Sequence, residues 1–380
     1  MNFEFVVIPL LVLLIALIVF ALSMNRWAVL RNERYGKARR VEERVVLAVL
    51  IVGSVAVGAS TAFNALATHH YWATHPVPGR IYRVNGYDMR IACTGAGSPT
   101  LVLDAGLGND GLIWGTVQPE LSKTTRVCSY DRAGFGRSEA TPGPQDAEHI
   151  AVQLHGLLNQ AGIDGPIVLM GHSISGIYIR AYATRYPQNV AGLIFVDGST
   201  PLQMDHYPAD LQARMKTTET LAFLVGKAVV PTGVLRVLGQ CSEVTAGLAP
   251  EAGKMLAEDN CAPRLRASEQ EMKNFRQSGL ETVHTGPYGD LPILIFSQDP
   301  NLHAPMLSDK MGKEESDTWN EMQDNLKNLS TRSRRIIAKG STHYVQIDRA
   351  ELVNREVPIF IQQIRGTAPQ PTDYGSTKIE

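Results

Sequence analysis

Two apolar runs near the N-terminus limit what this chain can become more than any other feature. Phe3 to Met24 contains a single charge, Glu4, and a second run extends from Val45 to Ala67. Each is close to the ~20 residues that cross the hydrocarbon core of a bilayer as a helix. Between them, Asn25 to Arg44 holds Arg26, Arg31, Arg34, Lys37, Arg39, Arg40 and Arg44, whereas no Lys or Arg precedes Arg26 or falls between Val45 and Gly79. The positive-inside rule keeps this linker in the cytoplasm and puts both flanks outside. The sequence therefore predicts a two-pass membrane anchor over residues 1–79, with transmembrane helices at 3–24 and 45–67 and the rest of the chain on the extracytoplasmic side. A pair of buried core helices fits poorly with so dense a basic linker. A cleaved signal peptide at the extreme N-terminus lacks the basic residues that precede such segments. The alternative is cleavage after the small-residue pattern Ala65-Leu66-Ala67, which releases the larger, C-terminal part of the chain.

From about Arg80 onward the material changes. With 380 residues, 44% of them hydrophobic, the chain can build a full core plus extra elements, and a net charge of −1 offers no basic field for nucleic acid. Ile81–Val84 and Met89–Cys93 read as a hairpin through Asn85-Gly86. Further strands are predicted at Thr100–Leu103, Arg126–Tyr130, Ile167–Met170, Leu193–Val196, Ile293–Phe296 and Arg335–Ala338. Helical spacing falls between them at Ala147–Ala161 and Ile177–Tyr186, and after them at Val353–Ile364, where Pro358 marks a kink. Strands interleaved with helices predict an α/β fold whose mostly parallel sheet is covered on both faces. Ligands of such sheets bind in the crevice at the strand C-termini.

One strand, Ile167–Met170, runs into Gly171-His172-Ser173-Ile174-Ser175-Gly176, a turn of small residues with a serine at its apex. A buried strand has no need to end by presenting a hydroxyl, but a nucleophile does. The turn resembles the nucleophile elbow G-x-S-x-G of the α/β-hydrolase superfamily, with Ser175 where the last glycine belongs, and the resemblance covers residues from about Arg80 to Arg365. It implies an α/β-hydrolase core over 80–199 and 291–365, a helical cap insertion over 200–290, and a breaker-rich, disordered tail over 366–380.

A serine hydroxyl needs a base, and the base needs an acceptor to hold its tautomer. The family order is Ser, then acid, then His. Asp299, after Pro292–Phe296 and Ser297-Gln298, resembles the family's acid, and His343, in Lys339-Gly340-Ser341-Thr342-His343, resembles its base. Asp197, after Ile194-Phe195-Val196, is the alternative acid, since some members supply it from that strand. Asp131, in Asp131-Arg132-Ala133-Gly134-Phe135-Gly136-Arg137-Ser138, looks like the family's D-x-x-G-x-G-x-S loop and reads as scaffold. The oxyanion donors implied are the backbone N–H groups of Ile174 and of Leu107, the latter in Ala105-Gly106-Leu107-Gly108, where family members often carry His-Gly.

The cap's apolar residues, among them Leu221, Phe223, Leu224, Val225, Val229, Val230, Val234 and Leu238, read first as its own core, and otherwise as an acyl pocket lining or a surface resting on a bilayer. Tyr207, Tyr288 and Asp110 are candidates to approach the pocket, with no role fixed by their spacing. Four cysteines suit an oxidising compartment as well as a reduced core, and no pair has metal-ligand spacing. In an external domain Cys241 would bridge locally to Cys261, and Cys93 would link to Cys128 on a neighbouring strand. The resulting expectation is a membrane-anchored serine hydrolase of small carboxylic esters, using Ser173, His343 and Asp299. An amidase, a lactonase, a carbon–carbon bond hydrolase or a non-catalytic binding protein of the same fold are the alternatives. No cofactor or metal is implied, the partners are a small acyl substrate and the membrane, and the oligomeric state is open.

Overall fold

A computed structural model describes residues 3–30, 37–241, 247–261, 265–302 and 308–380. The linker residues Arg31 and Arg34 lie outside this range. Two compact units emerge. The first joins residues 1–77 with 221–244 and 254–265, and the second comprises 78–220, 245–253 and 266–380. The insertion expected as a single cap over 200–290 is thus shared, and two of its segments gather with the N-terminal helices.

In the first unit, α1 (Phe3–Leu30) and α2 (Lys37–Thr74) are both long and apolar enough to cross a membrane. They run past the expected ends, and Arg26, on α1, and Glu43, on α2, join them with an ion pair at 3.0 Å. Much of their surface is apolar and exposed, including Leu14, Ile15, Leu17, Val49 and Val52. An ordinary core helix of a soluble protein would bury such a face.

The second unit is built on a nine-stranded sheet. In chain order its elements are β1 (Arg80–Val84), β2 (Tyr87–Thr94), β3 (Thr100–Asp104), α3 (Gln118–Leu121), β4 (Val127–Tyr130), α4 (Ala147–Gln160), β5 (Ile167–His172), α5 (Ser175–Arg185) and β6 (Val190–Val196). The insertion comes next as α6 (Ala209–Val229), α7 (Val234–Val237), α8 (Pro250–Asn260) and α9 (Leu265–Thr282), of which α7 and parts of the others belong to the first unit. Then come β7 (Ile293–Ser297), α10 (Asp309–Asn325), β8 (Ser333–Ile337), α11 (Val345–Asp348), α12 (Ala350–Arg365) and β9 (Thr377–Ile379). The order across the sheet is β1-β2-β4-β3-β5-β6-β7-β8-β9, antiparallel only at β1/β2 and β2/β4.

The hairpin turns where expected, with Asn85 and Gly86 both at positive φ, as a two-residue turn matched to strand twist requires. Strands β3 to β8 are buried along their whole length apart from Ala191 in β6, because helices cover both sheet faces. On α4 the buried set Ile150, Ala151, Leu154, Leu157 and Leu158 forms one stripe against the sheet, and Asp146 caps the helix by accepting from His149 N at 3.0 Å. Both expected disulfides form. Cys93 and Cys128 face each other across β2 and β4, and Cys241 joins Cys261. The tail read as disordered is a correction. Thr377–Ile379 pairs parallel to β8, and the Glu380 backbone and side chain accept from Lys339, Arg349 and Arg355, contacts that composition alone does not reveal.

Candidate active site

Strand β5 delivers Ser173 at φ +55, a backbone state that L side chains rarely adopt. The turn is held because Ser173 N donates to Val196 O at 3.2 Å, while Gly176 N and Ser199 N donate to Ser173 O at 2.8 and 2.7 Å. Two glycines are sterically demanded. A Cβ at Gly171 would lie 2.8 Å from Ser175 O, and one at Gly176 would lie 2.7 Å from Ser199 O. Position 175 is different, because the serine there has a use for its hydroxyl. Buried Ser175 donates to Ala105 O at 2.5 Å and accepts from Arg132 Nη1 at 3.3 Å.

His343 meets a carboxylate, and it is Asp197. His343 Nδ1 donates to Asp197 Oδ2 across 2.6 Å, and Asp197 Oδ1 accepts from Trp319 Nε1 and from Gln298 N, each at 2.9 Å. The assignment of Asp299 to this place is therefore corrected. Strands β6 and β7 lie in parallel register with Val196 opposite Phe296, so Asp197 directly ends its strand whereas Asp299 falls two residues beyond Ser297. The Asp299 carboxylate is turned to other donors, accepting from Asn301 N at 2.9 Å, Asn301 Nδ2 at 2.8 Å and Gly340 N at 2.8 Å. It braces the loop that carries His343 and does not touch the imidazole.

Burial pushes the Asp299 carboxyl up, but the hydrogen bonds from Gly340 and Asn301, with Lys339 nearby, outweigh it and hold the group below the ordinary 3.8. A lowered native pKa stabilises the fold fully above the unfolded value, and that share is lost as pH falls through the native value. The expected result is that Asp299→Asn lowers the thermal midpoint at about pH 6, and that the gap to wild type narrows as pH falls below about 4. Thermal scans of the two proteins across that range check it.

The loop after β3 runs hard against Ser173. A Cβ at Gly106 would lie 2.7 Å from His172 Nδ1 and 3.2 Å from Ser173 Cβ. Among the described residues, no acceptor engages the N–H of Leu107 or of Ile174, the two groups expected to receive an oxyanion. This loop is clamped by Arg132, which donates to Ala105 O and to Gly106 O (2.9 Å), and pairs with Asp104 at 2.8 Å and Glu271 at 2.6 Å. Burial opposes the Arg132 charge, but Glu271 and Asp104 outweigh it and hold the guanidinium above its ordinary value. Asp131 reads as scaffold here as well, accepting from Arg90 Nη1, Gly111 N and Arg137 N. His172 is buried with Nε2 3.0 Å from His343 O, and burial pushes it well below the usual histidine range, so the neutral ring donates to the loop that carries His343.

Ser173 and His343 share a cavity of about 350 Å³ whose walls also include Ser199, Gln203, Tyr207, Met215, Gln298, Leu302, Glu315, Trp319 and Thr342. Of the three residues named as candidates to approach it, only Tyr207 does so. Tyr288 donates to Arg180 O elsewhere, and Asp110 caps the short turn at Leu112. Trp319 escaped sequence reading, because its one signal is an aromatic residue in the mostly polar stretch that forms α10.

Comparison with known proteins agrees with this architecture. The chain is 27% identical over 290 residues to an AB hydrolase superfamily protein of Gibberella zeae, covering 70% of this chain and 87% of that one. It is 30% identical over 144 residues to the human (lyso)-N-acylphosphatidylethanolamine lipase, covering 37% and 41% of the two chains. A match to the probable transporter efuK of Hormonema carpetanum, 34% identical over 116 residues, covers 30% of this chain and 17% of that one. The family model described as alpha/beta hydrolase fold matches residues 99–350, so with its mostly parallel sheet and half-buried strand-to-helix serine this chain belongs to the α/β-hydrolase family.

Proposed function

We propose that the protein is a membrane-anchored serine hydrolase of small carboxylic esters, with Asp197 as its acid. The observation that carries this reading is the 2.6 Å contact between buried Asp197 and His343, which lines the same cavity as Ser173. The Ser173 hydroxyl attacks the ester carbonyl and passes its proton to His343 Nε2, while Asp197 stabilises the imidazolium that results. The carbonyl oxygen, now anionic, lies against the N–H groups of Leu107 and Ile174. Collapse expels the alcohol, which takes the proton back from His343, and leaves Ser173 acylated. Water then adds by the same route and releases the carboxylic acid. Amides, lactones and carbon–carbon bonds beside a carbonyl can enter the same cycle. The two apolar helices support an anchor in the membrane, and the basic residues between them support a cytoplasmic loop with the hydrolase unit outside.

A panel of p-nitrophenyl esters with the full-length protein in detergent tests this. Wild type is expected to turn over short acyl chains, and Ser173→Ala and His343→Ala are each expected to lose on the order of 10⁴-fold or more in kcat/KM. Equal rates in wild type and Ser173→Ala would remove the assignment.

A further inference from the structure

The surface of segment 221–238 is unusually apolar. Leu221, Leu224, Val225, Val234, Val237 and Leu238 are each between 38% and 67% exposed. Contiguous patches of this kind mark an interaction site in a soluble protein or at a membrane. The segment also carries no Asp or Glu.

The places where the segment is fastened identify what covers this face. Gly233, at φ +73, lies so close to α2 that a Cβ there would come 2.4 Å from Ser60 O and 2.7 Å from Asn64 Cβ. Arg236 Nε donates to Asn64 Oδ1 at 2.8 Å and Arg236 Nη2 to Thr68 Oγ1 at 2.7 Å, while Asn64 Nδ2 donates to Cys261 O at 3.2 Å. Ser60, Asn64 and Thr68 recur every four residues, so they form one face of the helix.

Depth along α2 then sets where the segment sits. Ser60 stands 16 residues beyond Arg44, the final charge of the basic linker. At 1.5 Å per residue that is about 24 Å, short of the roughly 30 Å of hydrocarbon in a bilayer. With Arg44 at one face, Gly233 lies within the apolar depth, and Asn64 and Thr68 lie at or beyond the opposite boundary. The chemistry of the attachment agrees. The segment has two cations, Lys227 and Arg236, and every guanidinium nitrogen of Arg236 donates, Nη1 to Glu258 Oε2 at 2.9 Å, Nε to Asn64, and Nη2 to Thr68 and Glu258, as an ionised group close to lipid requires.

We propose that segment 221–238 is embedded in the leaflet opposite the basic linker, forming with α1 and α2 one lipid-immersed body. This rests on the reading of α1 and α2 as membrane-spanning. All four cysteines are paired, so an introduced cysteine is the sole free thiol. The test places an environment-sensitive fluorophore on full-length Leu224→Cys and Val237→Cys in phosphatidylcholine vesicles that contain nitroxide-labelled lipid. Leu14→Cys, on α1, and Lys313→Cys, exposed on α10, serve as references. Both segment probes are expected to show at least half the quenching of Leu14→Cys, strongest with the nitroxide near the headgroup, while Lys313→Cys shows little. Quenching at Leu14→Cys with the segment probes matching Lys313→Cys overturns the proposal and leaves the anchor standing. No quenching at Leu14→Cys overturns the anchor, and this proposal with it.

Discussion

Asp197→Asn is expected to lower kcat/KM for an ester substrate by on the order of 10⁴-fold, whereas Asp299→Asn loses no more than about ten-fold. The two aspartates sit on neighbouring strands and differ in what their oxygens hold. Asp197 Oδ2 is the acceptor for His343 Nδ1, and its Oδ1 is fixed by Trp319 and Gln298. An asparagine keeps that shape, but if its oxygen stays on Trp319 and Gln298 it turns an N–H toward the imidazole. The ring must then change tautomer and can no longer accept the Ser173 proton at Nε2. At position 299 the same substitution removes one acceptor from Gly340 and leaves the His343 contact untouched. Steady-state kinetics on both variants decides between the two carboxylates. An inactive Asp299→Asn beside an active Asp197→Asn would return the acid's role to Asp299.

Arg132→Ala is expected to cost about 3–5 kcal/mol of stability, because it leaves Asp104 and Glu271 buried without their cation. The same change frees the carbonyls of Ala105 and Gly106 and releases Ser175 from its donor, so any folded fraction loses the shape of the loop that carries Leu107. Arg132→Lys retains a charge but cannot span Glu271, Asp104 and two carbonyls with one ammonium, and it is expected to lose activity as well. Denaturation followed by tryptophan fluorescence gives the stability change. Combining Arg132→Ala with Glu271→Gln should cost less than the sum of the two single changes, since the double variant removes one of the stranded charges. Strict additivity would mean that the pair does not couple.

How much of the fold and site is legible in the chain itself varies by element. Apolar runs such as Ile167–Met170 and Ile293–Phe296 announce buried parallel strands, and the small residues around Ser173 announce a tight turn, because both signals are local. The late loop at His343 is equally readable from its place after β8. The acid is not. Asp197 and Asp299 both come after apolar strands, and what separates them is the contact of Asp197 with His343, 146 positions away, beside that with Trp319, 122 positions away on a helix with no apolar run to mark it. Ser175 looks like a mere departure from glycine until its partner Ala105, 70 positions earlier, comes into contact. The placement of β4 between β2 and β3, and the pairing of the tail with β8, likewise depend on long-range contacts that periodicity does not encode.

Whether Ser173 is an activated nucleophile is decided by covalent labelling. Full-length protein is treated with a fluorophosphonate, digested and read by mass spectrometry, beside His343→Ala and Asp197→Asn. The expected result is a phosphonylated peptide carrying Ser173 in wild type, strongly reduced in Asp197→Asn and in His343→Ala. A folded wild-type protein that stays unlabelled at Ser173, or that is labelled equally in the His343→Ala variant, would contradict that role of Ser173.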